Sequence, residues 1–448
     1  MKKATLDRLT DSQLQLVLTY APAGLGHLRI TDSLYEGLPK SLNPILLGSR
    51  DRSIQTIHRI TSIHPIARAV FEWLQSGPLA FPANRLYRFI LRMNTGVIYD
   101  EFSRLVDEPY EPPRKILVIS THFGLAHKLA AIKKKLEREK GVRIVLVVFV
   151  SDDTFQHIWH VDGADLLVVA SRYIKRKYAA YGRLTGRPVR VEVNPYPLNP
   201  RLGKRLTSKQ MAEKTRQLDA VARELIQVSI PISGAAVGTE YFDRLIAGLR
   251  EKSTRFIFHV VSKDAPFTKR FLAKIDGKPW IDLLVGRRDR EVVDLYDELM
   301  DSRVVSLEVT KPSEQAFKAL LGTRSRGGVI LLFSQPVGRQ EFDNLDFLER
   351  HALVPAKQIN LDLWEMAGSG VRMDPGLKKI LFEESRTWKG VRIPNDARQA
   401  ADFIWWMLEA GIFARMLAGN LNLRIRDGRS DVLGPNGVAE FWDLAASV

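Results

Sequence analysis

VVSLEVTKPSEQAFKALLGTRSRGGVILLFSQPVGRQEFDN, residues 304–344, is the stretch that decides the fold. A β-rich run, Val304 to Val309, breaks into Thr310-Lys311-Pro312-Ser313-Glu314, and a helical pattern follows at once. A second apolar run, Val329 to Phe333, reads as a buried strand and passes into a polar loop carrying Gln335, Arg339, Gln340, Glu341 and Asn344. Pro312 suits a first helical turn, where a missing N–H loses no bond. Ser313 and Glu314 then sit at a helix start beside the carboxyl end of a strand, the edge at which open α/β sheets bind ligands.

The same strand, turn and helix plan opens the chain twice more. Leu14 to Tyr20 runs into Ala21-Pro22-Ala23-Gly24-Leu25-Gly26-His27, with a helix pattern from about Leu28. Ile226 to Ile232 runs into Ser233-Gly234 and Gly238-Thr239-Glu240, with a helix over Tyr241 to Arg250. Such turns present backbone N–H groups and a helix dipole to an anion, although many α/β turns carry two glycines for shape alone. Two openings of this kind predict two Rossmann-like halves. Further strands are expected at Lys115–Ser120, Arg143–Val150, Leu166–Ala170, Arg255–Val261 and Ile281–Val285, so the fold class is α/β. Arg143–Val150 is apolar on both faces and so central in a parallel sheet.

With 448 residues the chain exceeds one ordinary core, and it contains no cysteine, which rules out disulfides and thiolate metal sites. Lys and Arg number 67 against 51 Asp and Glu, a net charge of +16 that favours anionic partners. No run reaches the ~18 apolar residues needed to span a bilayer. Asp7 and Asp11 interrupt the start, so a signal peptide is not expected and a cytoplasmic location is.

Between Arg50 and Leu105 the pattern is helical, basic and aromatic: Ile54, Ile57, Ile60, Ile63, Ile66, Val70 and Leu74, then Tyr87, Phe89 and Ile90 among Arg85, Arg88 and Arg92. It is either a helical pair packed on the sheet or a lobe resting on lipid headgroups. Lys175 to Arg190 is a dense basic cluster, a solvated face or an anionic-surface contact. No RNA-binding signature accompanies it, and nucleic acid is not expected. Asp152, Asp153, His157 and His160 could hold a metal, bond as ordinary histidines, or line an acceptor site. No metal is expected.

The order of these motifs resembles the inverting glycosyltransferases of the glycosyltransferase-B fold, in particular the monogalactosyldiacylglycerol synthases and the N-acetylglucosaminyltransferase that completes lipid II. The resemblance implies two Rossmann-like domains with parallel sheets facing a central cleft and a helical insertion in the first. By position it implies a general base, His27, at the end of a Gly24-x-Gly26 turn, with acceptor-side contacts from His122, Asp153, His157 and Trp159. It implies a donor site of Gly234, Thr239, Lys263, Lys311, Ser313, Glu314, Gln340, Glu341 and Asn344, with Glu314 on the ribose of UDP and Gln340 and Glu341 at the sugar. A Gly-Pro-Gly-Thr turn of the galactolipid enzymes is replaced here by Pro312-Ser313.

The expected domains are 1–205 (insertion about 50–110), 206–395, and C-terminal helices over 396–448 that cross back to the first domain. The expected function is transfer of a sugar from a UDP-sugar to a hydroxyl of a lipid or membrane-associated acceptor with inversion. No cofactor is expected beyond the nucleotide sugar. Partners would include an anionic membrane surface, placing the protein in the cytoplasm or peripherally on the inner face of the plasma membrane. An epimerase or a non-catalytic nucleotide binder of the same fold is the alternative.

Overall fold

The computed structural model describes residues 1–20, 25–48, 80–93, 95–232, 238–333, 338–369, 373–419 and 433–448. The chain forms two compact units, Met1–Asn199 with Asn436–Val448, and Pro200–Pro435.

The first unit runs α1 (Lys3–Leu9), β1 (Leu14–Tyr20), α2 (Leu25–Glu36), β2 (Ile45–Gly48), α3 (Ala80–Arg92), α4 (Gly96–Asp107), β3 (Lys115–Ser120) and α5 (Phe123–Lys140). It continues with β4 (Arg143–Phe149), a 3-10 turn at His157–Trp159, β5 (Leu166–Val169), α6 (Arg172–Leu184) and β6 (Val191–Val193). The strands make one parallel sheet of order β2-β1-β3-β4-β5-β6. Every residue of β4 except Arg143 is buried, as its two-faced apolar sequence predicts. Strand order reverses between β1 and β3, which are paired from Leu14↔Lys115 to Thr19↔Ser120. That reversal opens a crevice at the strands' carboxyl ends.

The second unit runs α7 (Ser208–Gln217), β7 (Ile226–Pro231), α8 (Thr239–Lys252), β8 (Phe256–Lys263), α9 (Lys269–Ile275), β9 (Ile281–Gly286), α10 (Asp289–Ser302) and β10 (Leu307–Thr310). After a 3-10 helix at Glu314–Leu320 come β11 (Val329–Phe333), α11 (Arg339–Arg350), α12 (Lys357–Ser369), α13 (Pro375–Glu384), β12 (Gly390–Ile393), α14 (Ala397–Glu409) and α15 (Ile412–Ala418). Its sheet is also parallel, of order β12-β11-β10-β7-β8-β9, and reverses between β7 and β10. Two Rossmann-like α/β units are therefore present, as expected.

Several expectations change. The polar "loop" after Phe333 is largely the helix α11, and the stretch after Glu314 is a 3-10 helix whose residues from Gln315 to Leu320 are buried. The irregular stretch expected from Ala352 to Val391 holds α12, α13 and the start of β12. The helices rich in Trp405, Trp406, Leu408, Ile412 and Phe413 do not join the first unit. They pack into the core of the second. Small residues permit this: a Cβ built on Gly248 of α8 would lie 2.9 Å from the Ala401 Cβ of α14. The last helix alone, α16 (Gly437–Ala445), belongs to the first unit. Trp442 Nε1 donates to the Leu34 carbonyl at 2.9 Å, and Asn194 Nδ2 donates to the Gly437 carbonyl at 2.8 Å.

The insertion also differs from its reading. Residues 50–79 lie outside the described residues. In α3 Arg88 and Arg92 turn inward: Arg88 Nη2 donates to the Tyr181 hydroxyl at 2.7 Å, and Arg92 Nη2 to the Asp162 carbonyl at 2.9 Å. Leu86, Phe89, Ile90 and Met93 are exposed at helical spacing, with Val97 of α4 beyond them. Among the described residues of α3 the exposed face is apolar.

Candidate functional site

In the second unit the two chain segments beside the reversal, after β7 and after β10, carry the residues singled out from the sequence. Gly234 lies outside the described residues. Gly238 caps α8 with φ +91°, and an added Cβ would lie 2.9 Å from the Phe333 ring, so glycine is required there on both counts. Thr239 is the first residue of α8, whose N-terminus places unsatisfied N–H groups and a partial positive charge at this edge.

The turn after β10 meets α11. Lys311 Nζ lies 2.7 Å from Glu341 Oε1, both side chains largely buried. Asn344 is fully buried, and its Nδ2 donates to the Pro312 carbonyl at 3.1 Å. Two motifs far apart in the chain, Lys-Pro-Ser-Glu and Gln-Glu-x-x-Asn, are therefore joined. Glu314 and Gln340 are half-buried beside this junction, and Ser313 caps the 3-10 helix in an extended conformation. Lys263, at the end of β8, instead pairs with Asp289 of α10 at 2.8 Å. Asn344→Ala strips a buried carbonyl of its donor and should cost about 1–3 kcal/mol in urea unfolding. An unchanged midpoint would show that Asn344 does not hold the turn.

In the first unit the crevice lies between β1 and β3. Gly24 lies outside the described residues. Gly26 and His27 fall within the first turn of α2, since the helix begins at Leu25 rather than near Leu28. The His27 carbonyl accepts from the hydroxyls of Thr31 (2.9 Å) and Thr121 (3.2 Å), and those hydroxyls are 2.8 Å apart. This pins the start of α2 to the end of β3. The His27 ring meets His122 edge-on at 5.0 Å and Trp159 at 6.0 Å. His122 caps α5, its Nδ1 accepting from Gly124 N at 3.2 Å, which leaves the proton on Nε2. Phe123 completes the group, stacked on His122 at 4.7 Å and edge-on to Trp159 at 5.4 Å.

The His157–Trp159 segment divides. Trp159 joins His27, whereas His157 stacks on Tyr181 at 4.3 Å beside Phe155. Asp153 is buried. Among the described residues no cluster of His, Asp and Glu is arranged to hold a metal. Thr31, Thr121 and Phe123 were not singled out from the sequence. The Thr121-His122-Phe123-Gly124 turn after a predicted strand was the available signal.

No family model matches the chain, and no curated protein does. Solved structures do align along nearly its whole length. The UDP-GlcNAc 2-epimerase of Neisseria meningitidis bound to UDP-GlcNAc is 9% identical over 97% of this chain and 100% of its own, with a TM-score of 0.47. Acinetobacter baumannii MurG is 10% identical over 97% and 100%, with a TM-score of 0.45. A Polygonum tinctorium UDP-glucosyltransferase capable of glucosylating indoxyl is 12% identical over 98% and 100%, with a TM-score of 0.46. At these values the likeness carries no functional weight, and the architecture stands on the strand topology.

Two more histidines lie behind the first crevice. His127 is buried, and its Nε2 bonds the Ile158 carbonyl at 2.8 Å. Burial first, then the charges of Arg92 and Arg88, push its imidazole down to about 3 against that bond. Burial and Arg88 push His160 down to about 4. Both are neutral in the fold and protonate near pH 6.5 when unfolded. The unfolded chain therefore binds more protons below pH 6.5, and stability falls as pH drops from there. Urea unfolding between pH 6.5 and 5 should show a loss that steepens toward about 1.4 kcal/mol per pH unit for each histidine. His127→Gln should remove one share of that slope; an unchanged slope would contradict the assignment.

Proposed function

We propose that the protein transfers a sugar from a UDP-sugar to a hydroxyl of a lipid or membrane-associated acceptor, with inversion at the anomeric carbon. The observation that carries this reading is the junction in the second unit, where Lys311–Glu341 and Asn344–Pro312 bring two sequence motifs together beside a helix N-terminus at a strand-order reversal. In this reading the start of α8 meets the diphosphate, Glu314 accepts from the ribose hydroxyls, and Gln340 orients the sugar. The Lys311–Glu341 pair shapes the floor, each charge already answered by the other.

On the first unit His27 takes the acceptor's proton. The freed oxygen pair attacks the anomeric carbon, the carbon–oxygen bond to the diphosphate breaks, and UDP departs with that electron pair. Charge growing on the diphosphate is met by the N-terminal dipole of α8. A single displacement inverts the centre. The scheme invokes no cofactor beyond the nucleotide sugar, and no metal.

The apolar stripe Leu86, Phe89, Ile90 and Met93 supports a peripheral membrane location, at the inner face of the plasma membrane. Among the described residues no helix is long and apolar enough to cross a membrane. Leu86→Ser with Phe89→Ser should weaken co-sedimentation with anionic vesicles about tenfold or more. Unchanged sedimentation would remove this surface from the account.

The committed Lys311–Glu341 pair favours a second reading, a binder or epimerase that works on the nucleotide sugar alone. A panel of UDP-sugars with vesicles of mixed glycerolipids and polyprenols decides between them. Transfer predicts UDP release that requires both the sugar nucleotide and a lipid. UDP-sugar binding with no acceptor-dependent release would contradict it.

A further inference from the structure

The second sheet carries another feature at its opposite edge, where its strands begin. Glu308 is the second residue of β10, Gly327-Gly328 lead into β11, and Lys389 immediately precedes β12. With Lys214 of α7 and Lys318 of the 3-10 helix they line one pocket. Its free volume is about 30 Å³, above the ~10–15 Å³ that one water needs.

Among the described residues the charges around this pocket do not balance. Lys318 pairs with Glu308, which also accepts from the Tyr296 hydroxyl at 2.7 Å and Gly328 N at 2.9 Å. Arg326 pairs with Asp301 at 2.9 Å. Lys214 is buried and donates only to the carbonyls of Ser325 and Gly327. Lys389 is 8% exposed, and its ammonium has no hydrogen-bond partner among the described residues. Among the described residues, four cations against two carboxylates leave two positive charges over, both on buried lysines.

Burial pushes Lys214 down to about 8 although Glu308 opposes the shift, and burial with the charge of Lys214 pushes Lys389 down to about 8. A buried ammonium with no bonding partner, such as that of Lys389 among the described residues, is unfavourable unless it sheds its proton or an anion joins it.

We propose that this pocket binds a tetrahedral dianion of the phosphate class, as inorganic phosphate or as the terminal group of a phosphomonoester. The ammoniums of Lys214 and Lys389 supply the two matching charges. Gly327 and Gly328 keep the loop close over the strands: an added Cβ at Gly327 would lie 2.8 Å from Glu308 Oε1, and one at Gly328 would lie 2.4 Å from Ser306 backbone. The site is separate from the carboxyl-end crevice and does not depend on the transferase reading.

The test is thermal unfolding of the whole chain at constant ionic strength, with phosphate, glycerol phosphate, sulfate or chloride, each with and without saturating UDP. The expected result is a saturable rise in Tm with phosphate, retained in UDP and absent with chloride. A matching response to glycerol phosphate assigns a phosphomonoester; a response to phosphate alone assigns the free ion. Lys389→Met should unfold at a higher temperature than the parent without phosphate, because it removes an unanswered buried charge, and should lose the saturable rise. Lys389→Gln should lose it as well. A rise shared equally by both variants, a rise that never saturates, or one abolished by UDP would overturn the proposal.

Discussion

Turnover by His27→Gln falls about 10²- to 10⁴-fold, the loss expected when a positioned general base is removed. The architecture makes this a clean experiment. The His27 carbonyl accepts from Thr31 and Thr121, and glutamine keeps that carbonyl. The ring is half-buried among His122 and Trp159, so a smaller polar side chain leaves the helix start in place. The loss should therefore appear in kcat, with the UDP-sugar KM and the melting temperature close to the parent's. His122→Gln should behave differently, because Nδ1 of His122 caps α5 and the substitution disturbs that helix. A kcat for His27→Gln within twofold of the parent would show that another group takes the proton.

Glu308→Gln should destabilise the second unit by about 3–5 kcal/mol, the cost of stranding one member of a buried ion pair. Glu308 is fully buried, Lys318 nearly so, and glutamine keeps the shape while deleting the charge. The pocket beside it already holds excess positive charge, and the substitution adds to it. Native stability is only ~5–15 kcal/mol, so the effect is large. Lys318→Met on the same background should recover part of the loss. The sign with pH also follows. Burial alone would raise the Glu308 carboxyl, but the charge of Lys318 and bonds from Lys318, Tyr296 and Gly328 outweigh it and hold it below the usual range. Its contribution is present above the ordinary glutamate value and is lost as pH falls through the depressed one. Urea midpoints with pH should lose that acid limb in Glu308→Gln. Equal midpoints for parent and variant would contradict the pairing.

Local pattern carried much of the fold. β1, β3 and β11 have the bounds their apolar runs suggest, because buried parallel strands need continuous apolar residues. The helices α12 and α13 were missed because their signals are tertiary or ambiguous. Asn360, polar and buried in α12, bonds both backbone groups of Arg392, a partner that sequence cannot show. Asp374-Pro375-Gly376 looks like a turn yet is an N-cap with proline at the first helical position. The α11 start reads as a loop because its first turn is polar, whereas Leu345, Phe347 and Leu348 are buried.

The site was legible as two separate lists of residues and not as contacts. Chain order placed His27 and His122 after the strands that flank one reversal, and Thr239 and Lys311 after those that flank the other. The Lys311–Glu341 pair, the inward turn of Arg88 and Arg92, and the partners of His157 depend on packing between elements distant in the chain. Nothing in a linear pattern encodes those.

Calorimetric titration of the protein with UDP, with ADP and GDP alongside and Glu314→Ala as the variant, tests the central claim most directly. The account predicts saturable, UDP-selective binding that Glu314→Ala weakens by about 1–3 kcal/mol. A folded protein that binds none of the three nucleotides would contradict it.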